Sequence, residues 1–520
     1  MLYFVEHKEW SLKRKCFPTG PQVYQTRDRR KTSPLKVGGE LRLAIAVGLG
    51  VIFFFGFAGF VPAHAIHGDE VYYIGRSMQN LAFLEGHFPL DGVTTSHPNH
   101  PFAGELFIAI AMVAEGQTFP ASVHVYGDSV YGIWNMSSAP LSWTDLTSGE
   151  LNSARFMSLL IAAIALAALV YVGLQLSPLS GLFGFLFAVS APGFIDTSLM
   201  AMLDIYSAAF TLLAIISLYW YLKGLRAALI ASGAFLGLAL GSKLAIDPLI
   251  AAVVIAFCVL VREEDNRARV KRIGQNWASA IISFAATSPV YVLRFTHEIA
   301  VSLSPVATRT GLAAWSQQSL LSTDNGIFGF IQSPVVVIYA LVTSSALILF
   351  LYRWRTMSRS PRQDSSLIGR DGLVPVLRKN PETLFLIAAL AFCSLDLLLS
   401  PLIFEWGRNF QRLDLYMALA SSVSLAYLIR NLKWKRGKIL FVGICFFVVM
   451  LTGGIFLGTL EARLAEGTFD YAASTIVMPS LVPGAGAVLI FSLAFAVIAV
   501  LAIFARSLVG TMFLQRAKGT

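Results

Sequence analysis

The sequence predicts an all-α polytopic membrane protein of about twelve transmembrane helices, eleven to thirteen, and three observations carry that prediction. Of its 520 residues 56% are hydrophobic and only 13% charged, about half the charged share of an ordinary soluble domain. Apolar stretches of span length recur along the whole chain and separate short polar segments. Basic residues, finally, gather in alternate connections. Together with a mean hydropathy of +0.67, this excludes a soluble enzyme, a disordered chain and a collagen-like fibre. Cys16, Cys258, Cys393 and Cys445 are scattered and form no CxxC pair, which excludes a disulfide scaffold and a cysteine zinc site.

A crossing needs roughly 20 mainly apolar residues. The expected spans are Leu41 to Pro62, Ala154 to Gln175, Gly181 to Ile195, Met200 to Leu222, Ala227 to Leu244, Pro248 to Val261, Trp277 to Leu293, Pro334 to Tyr352, Thr383 to Ile403, Leu413 to Ile429, Ile439 to Gly458 and Gly484 to Ala505. The third, fifth and sixth are short and carry Pro, Ser or Lys, residues that favour a break, a tilt or an early stop.

Placing both termini in the cytoplasm puts 32 of the 40 Lys and Arg residues, but only 10 of the 30 acids, in the inner segments. The inner side then carries about +22 and the rest of the chain about −12, as the positive-inside rule demands. The basic runs are topology determinants and anionic-lipid contacts, and no nucleic-acid partner is expected. The polar N-terminal segment 1–40 lacks the short apolar core of a signal peptide. The expected organisation is that segment, a catalytic transmembrane module 41–295 with a long outer loop at 63–153, further helices and outer loops over 296–505, and a cytoplasmic tail 506–520.

That loop holds six of the eight histidines and nine acidic residues, and its length is too great for mere connection. An interfacial helix begins at Asp69 and Glu70 and presents Ile74, Met78, Leu81 and Leu84 on one face. The acidic pair also has a bland explanation, favourable interaction with the helix macrodipole. After the turn Ser96-His97-Pro98-Asn99-His100-Pro101, Phe102 to Glu115 is apolar but too short to cross, so it is expected to be re-entrant or to lie on the surface. Carboxylates, histidine-rich turns and interfacial helices beside a bilayer point to chemistry on a lipid headgroup.

The run HGDEVYYIGRSMQNLAFLEGHFPLDGVTTSHPNHP resembles the first outer loop of the GT-C glycosyltransferases, in particular the branch of protein O-mannosyltransferases and aminoarabinose transferases. NSARFMSLLIAAIA, MAMLDIYSAAFTLLAIISLYWYL and GAFLGLALGSKLA are similar to later motifs of that superfamily, in the same order, over residues 41 to 250. The chain departs from the eukaryotic mannosyltransferases, since the loop Thr296 to Ser333 is too short for a β-trefoil, and from oligosaccharyltransferases, since it has no WWDYG-type motif. The resemblance implies a polyprenyl-phosphate-sugar donor and transfer of one sugar to a hydroxyl of a protein, lipid or polysaccharide. It implies an inverting displacement on the extracytoplasmic face, in a prokaryotic cell membrane or the endoplasmic reticulum.

Such a reaction needs a base for the acceptor hydroxyl, and the resemblance implies Asp69, with Glu70 orienting the acceptor, assisting Asp69 or binding a metal. The leaving phosphate needs fixed cationic donors. The resemblance favours Arg155; Lys243, Arg294, Arg408 and Arg412 are candidates by position, and His97 by its place in the turn. Snorkelling or pairing with Glu298, Glu405 and Asp414 is the competing account of the last three arginines. Lys243 either faces a polar cavity or pairs with Asp247 one turn on, and Asp204 supports Arg155 or the packing. No cofactor is required; His64, His67, His97 and His100 have spacings that leave room for a divalent metal. Two other readings fit a polytopic chain with Asp204, Lys243 and Asp396 inside spans: a transporter or lipid flippase, and a non-catalytic membrane subunit that keeps the fold.

Overall fold

The computed structural model describes residues 38–64, 103–116, 148–288, 334–358, 373–403, 412–432 and 439–451, together with Glu70, Tyr73, Ile74, Ser77 and Gly453. All of these lie within the compact unit Val37–Arg506. Among them every regular element is a helix: α1 (Gly39–Ala58), α2 (Ala103–Ala114), α3 (Ser148–Leu176), α4 (Pro178–Val189), α5 (Pro192–Leu199), α6 (Leu203–Leu222), α7 (Ala227–Ser242), α8 (Ile246–Arg262), α9 (Asn266–Thr287), α10 (Pro334–Ser358), α11 (Leu373–Lys379), α12 (Pro381–Ile403) and α13 (Leu413–Asn431). A further short apolar helix, α14, runs Ile439–Leu451.

Five of these are long and apolar enough to cross a bilayer alone: α1, α3, α6, α10 and α13. The pair α4 and α5 has the length and hydropathy of one more crossing when taken together, but is bent by 67°, the form of a broken span or a re-entrant loop. The bend falls where Ser190 and Ala191 end one helix and Pro192 restarts the next, since proline cannot continue a helix but suits its first turn. The third expected crossing thus breaks, and α7 and α8 are short, as their residues predict. Gly484 to Ala505, the expected last crossing, lies outside the described residues. α9 differs from expectation. It starts at Asn266, inside the basic connection, because Asp265 accepts a hydrogen bond from the Ala268 N–H at 3.1 Å and caps the helix there.

α6 is the axis of the bundle and is buried along almost its whole length, touched by α3, α7, α8, α12 and α13. Against it packs α7, whose Ser232 Oγ donates to the Ala214 carbonyl at 2.9 Å, and α9 packs on α7 in turn, over a stripe of small residues. A Cβ on Gly233 would sit 2.1 Å from the Asn276 carbonyl oxygen, and one on Gly237 2.2 Å from that of Ala280. The Gly-x-x-x-Gly spacing lets the backbones meet, and Asn276 Nδ2 and Ser279 Oγ then donate across to the Leu229 and Ile230 carbonyls at 2.9 and 2.8 Å. Likewise Ser180 and Ser422 exchange hydrogen bonds, at 2.5 and 2.9 Å to each other's carbonyls, where α4 meets α13.

The short helix α2 runs from the C-terminal end of α7, where Ala103 touches Gly241, to the head of α3, where Ser153 Oγ donates to Glu115 Oε2 at 2.5 Å. Both landmarks lie at the same end of the bundle, so α2 lies across that end with Phe107 against Tyr206 and Phe210 of α6.

Candidate functional site

At the end where α3, α6, α8 and α13 begin and α1 and α7 finish, the polar side chains of the core collect into two networks. The first is built on Glu70. Arg155, in the second turn of α3, donates from Nε to Glu70 Oε1 at 2.8 Å and from Nη2 to Oε2 at 2.7 Å, a two-pronged pairing that matches the fork of a guanidinium to a carboxylate. Its Nη1 donates to the carbonyls of Val61 and His64 at 3.0 and 2.8 Å, in the turns that follow α1. Both side chains are 0% exposed. A third donor to Glu70 comes from the main chain. Met200 and Met202 are extended between α5 and α6, and the Ala201 N–H of that break reaches Glu70 Oε1 at 2.7 Å.

His64 pairs through Nε2 with Asp196 Oδ1 at 2.9 Å, and both are buried. Asp414 at the head of α13 accepts from the Phe194 N–H at 3.2 Å, so a carboxylate caps the positive end of α5. In this way α1, α3, α5 and α13 are tied together around the residue that follows Asp69.

The second network begins three residues beyond Ala201. Lys243 Nζ donates to Asp204 Oδ1 at 2.6 Å. Lys243 is extended because α7 stops at Ser242, which swings its side chain toward α6 and away from Asp247, one of the two alternatives the sequence offers for it. That pairing is therefore corrected: Asp247 instead accepts from the Tyr416 hydroxyl at 2.5 Å and forms an ion pair with Arg412 at 3.3 Å. Asp396 is buried here too. Burial opposes the charge of Arg412, yet the carboxylates of Asp247, Asp396 and Asp204 outweigh it and hold its pKa above the ordinary arginine value.

Of the residues singled out in the sequence, Glu70, Arg155, Lys243, Arg412 and His64 are thus at one end of the bundle. Asp69, His67, His97, His100, Arg294 and Arg408 lie outside the described residues. Among the described residues no cluster of three or more His, Cys, Asp or Glu is placed to hold a metal ion. Tyr416, Asp196 and the Ala201 amide carry no motif; Asp196 and Asp247 stand just beyond the ends of expected spans, where an acidic residue is ordinary.

Residues 142–292 match the model of a family described as dolichyl-phosphate-mannose-protein mannosyltransferase. The chain resembles the GT-C glycosyltransferases. The matched segment holds Arg155, Asp196, Asp204, Lys243 and Asp247, while Glu70, His64, Arg412 and Tyr416, which pair with Arg155, Asp196 and Asp247, come from either side of it. Among solved structures, ArnT from Cupriavidus metallidurans bound to undecaprenyl phosphate is similar, with 12% identity, a TM-score of 0.41, and coverage of 90% of this chain and 78% of that one. No curated protein sequence matches.

Proposed function

We propose that the protein is a membrane glycosyltransferase that moves one sugar from a polyprenyl-phosphate donor to a hydroxyl acceptor on the extracytoplasmic face, with Asp69 as general base. The observation that carries this reading is the buried Glu70–Arg155 clasp. It fixes the backbone next to Asp69 against the head of α3 and the α5–α6 break, at the end of the bundle that the charge pattern assigns to the outside. The family match over 142–292 supports the same reaction class.

In this reading Glu70 and Arg155 position and Asp69 reacts. Glu70 has both oxygens bonded to Arg155 and one also to the Ala201 amide, and both side chains are buried, which supports a positioning role for the pair. The acceptor hydroxyl gives its proton to Asp69 as its oxygen bonds to the anomeric carbon, and the bond to the donor phosphate breaks with the electron pair leaving on phosphate. Arg294, Arg408 and His97 are the proposed direct donors to that phosphate. Lys243 and Arg412, each held by a carboxylate, contribute positive potential from behind.

Replacing Asp69 by Asn and measuring sugar transfer from a synthetic polyprenyl-phosphate sugar tests this. A loss of about 10²- to 10⁴-fold in rate with the fold retained is expected. Undiminished transfer would remove the base, and movement of a lipid-linked sugar across the membrane with no glycosyl product would favour a flippase.

A further inference from the structure

The opposite end of the bundle carries a second polar assembly that the transfer reaction does not use. Here α1 and α12 begin and α3, α6 and α13 end. Arg42 Nη1 donates to Gln175 Oε1 at 2.8 Å. Arg430 donates to the carbonyl of the next residue, Leu176, and pairs with Glu382. Glu382 also accepts from Lys223 Nζ at 2.6 Å, and that ammonium lies 5.6 Å from the Tyr219 ring. Arg430 and Arg42 both act electrostatically on the Tyr219 hydroxyl. Partial burial, and after it the charge of Arg430, lower the pKa of Lys223, as crowding of like charges requires.

Two cations, Lys223 at the end of α6 and Arg430 of α13, therefore share one carboxylate, while Arg42 of α1 is held by the neutral amide of Gln175, the residue before the one whose carbonyl takes Arg430. Glu40 is exposed and stands two residues from Arg42, a spacing at which helical side chains point apart. Around the cations the surface is apolar and aromatic. Leu41 and Leu43 flank Arg42 and are 46% and 50% exposed. Val47, one turn on from Leu43, continues that stripe, and the part-exposed Tyr171 and Trp220 stack at 5.6 Å. Cations at span ends, beside an aromatic belt and an exposed aliphatic stripe, are what a headgroup with acyl chains meets and a free ion does not.

The geometry points to a binding site for the phosphodiester headgroup of an anionic phospholipid, formed by Arg42, Lys223 and Arg430, with the acyl chains lying along α1. The lipid belongs to the leaflet opposite the Glu70–Arg155 clasp, and its binding is independent of whether the protein transfers a sugar.

The test is titration of delipidated full-length protein with phosphatidylglycerol or phosphatidylcholine, read by native mass spectrometry. Wild type is expected to retain phosphatidylglycerol in preference. The double variant Arg42→Gln, Lys223→Gln leaves the Arg430 bond to Leu176 intact and is expected to bind it more weakly by about fivefold per cation removed. A double variant of equal charge change on α9, Arg267→Gln with Lys271→Gln, is expected to bind like wild type. Equal retention of the two lipids, an unchanged R42Q/K223Q variant, or an equal loss in the α9 variant would each overturn the site. Displacement of the lipid by millimolar inorganic phosphate would overturn the choice of a lipid over a free anion.

Discussion

Arg155 shows why an arginine and not a lysine stands at the head of α3. Four hydrogen bonds leave its guanidinium in three directions, two to Glu70 and two to backbone carbonyls, and an ammonium on a flexible stem has three donors and no fork. Arg155→Lys is therefore expected to lower stability although it keeps the charge. Glu70→Ala removes the carboxylate that takes two of the buried guanidinium's hydrogen bonds, and breaking a buried ion pair costs about 3–5 kcal/mol; the expected result is a large drop in the unfolding midpoint in detergent, and an unchanged midpoint would show the clasp is not formed. Tyr416→Phe is the milder counterpart. It deletes a hydroxyl bonded to the Asp247 carboxylate at 2.5 Å, with an expected loss of about 1.5–3 kcal/mol by the same measurement. Neither of these two partnerships was legible in the sequence as a pair, because residues 85 or 169 positions apart share no periodicity. What was legible was the cost of an ionisable group in an apolar run, which marked Asp204, Lys243 and Asp396 without naming whom they meet.

Helices divide into those whose length and hydropathy alone define them and those decided by a single residue. Hydropathy places α1, α3, α6, α10 and α13 to within a few residues, since a bilayer-length apolar run has few other solutions. It does not place the start of α9, which a side-chain cap decides, or the depth of the α4–α5 break. Gly233, Gly237 and Gly241 recur every four residues, a spacing that does not say which helix fills the groove; the structure fills it with α9 at Gly233 and Gly237. Two glycine substitutions separate packing from propensity. Gly237→Ala brings a methyl to 2.2 Å from the Ala280 oxygen and is expected to destabilise by about 1–3 kcal/mol. Gly274→Ala on α9 meets nothing within 4 Å and is expected to stabilise by about 0.5–1 kcal/mol. Thermal unfolding of the pair should move in opposite directions.

For the whole molecule, polarity is sorted by end, with the Glu70 and Asp247 networks at one and the Arg42–Glu382–Arg430 assembly at the other. The charge pattern assigns the second to the cytoplasm. In a Cys16→Ser background, a cysteine at Ala114, exposed at the tip of α2, is expected to react with an impermeant maleimide in intact cells, and one at exposed Asn266 only after permeabilisation. The reverse labelling would place the clasp on the cytoplasmic side and end the proposed chemistry.

The break between α5 and α6 has one more effect. Every amino acid but proline carries the N–H that Ala201 offers to Glu70, so this half of the anchorage is indifferent to the chemical nature of residue 201 and limited only by the room around it. The Arg155 half has no such tolerance. A proline at 201 would silence the amide while leaving every polar side chain in place, and would weigh the contribution of main chain against side chain at a single carboxylate.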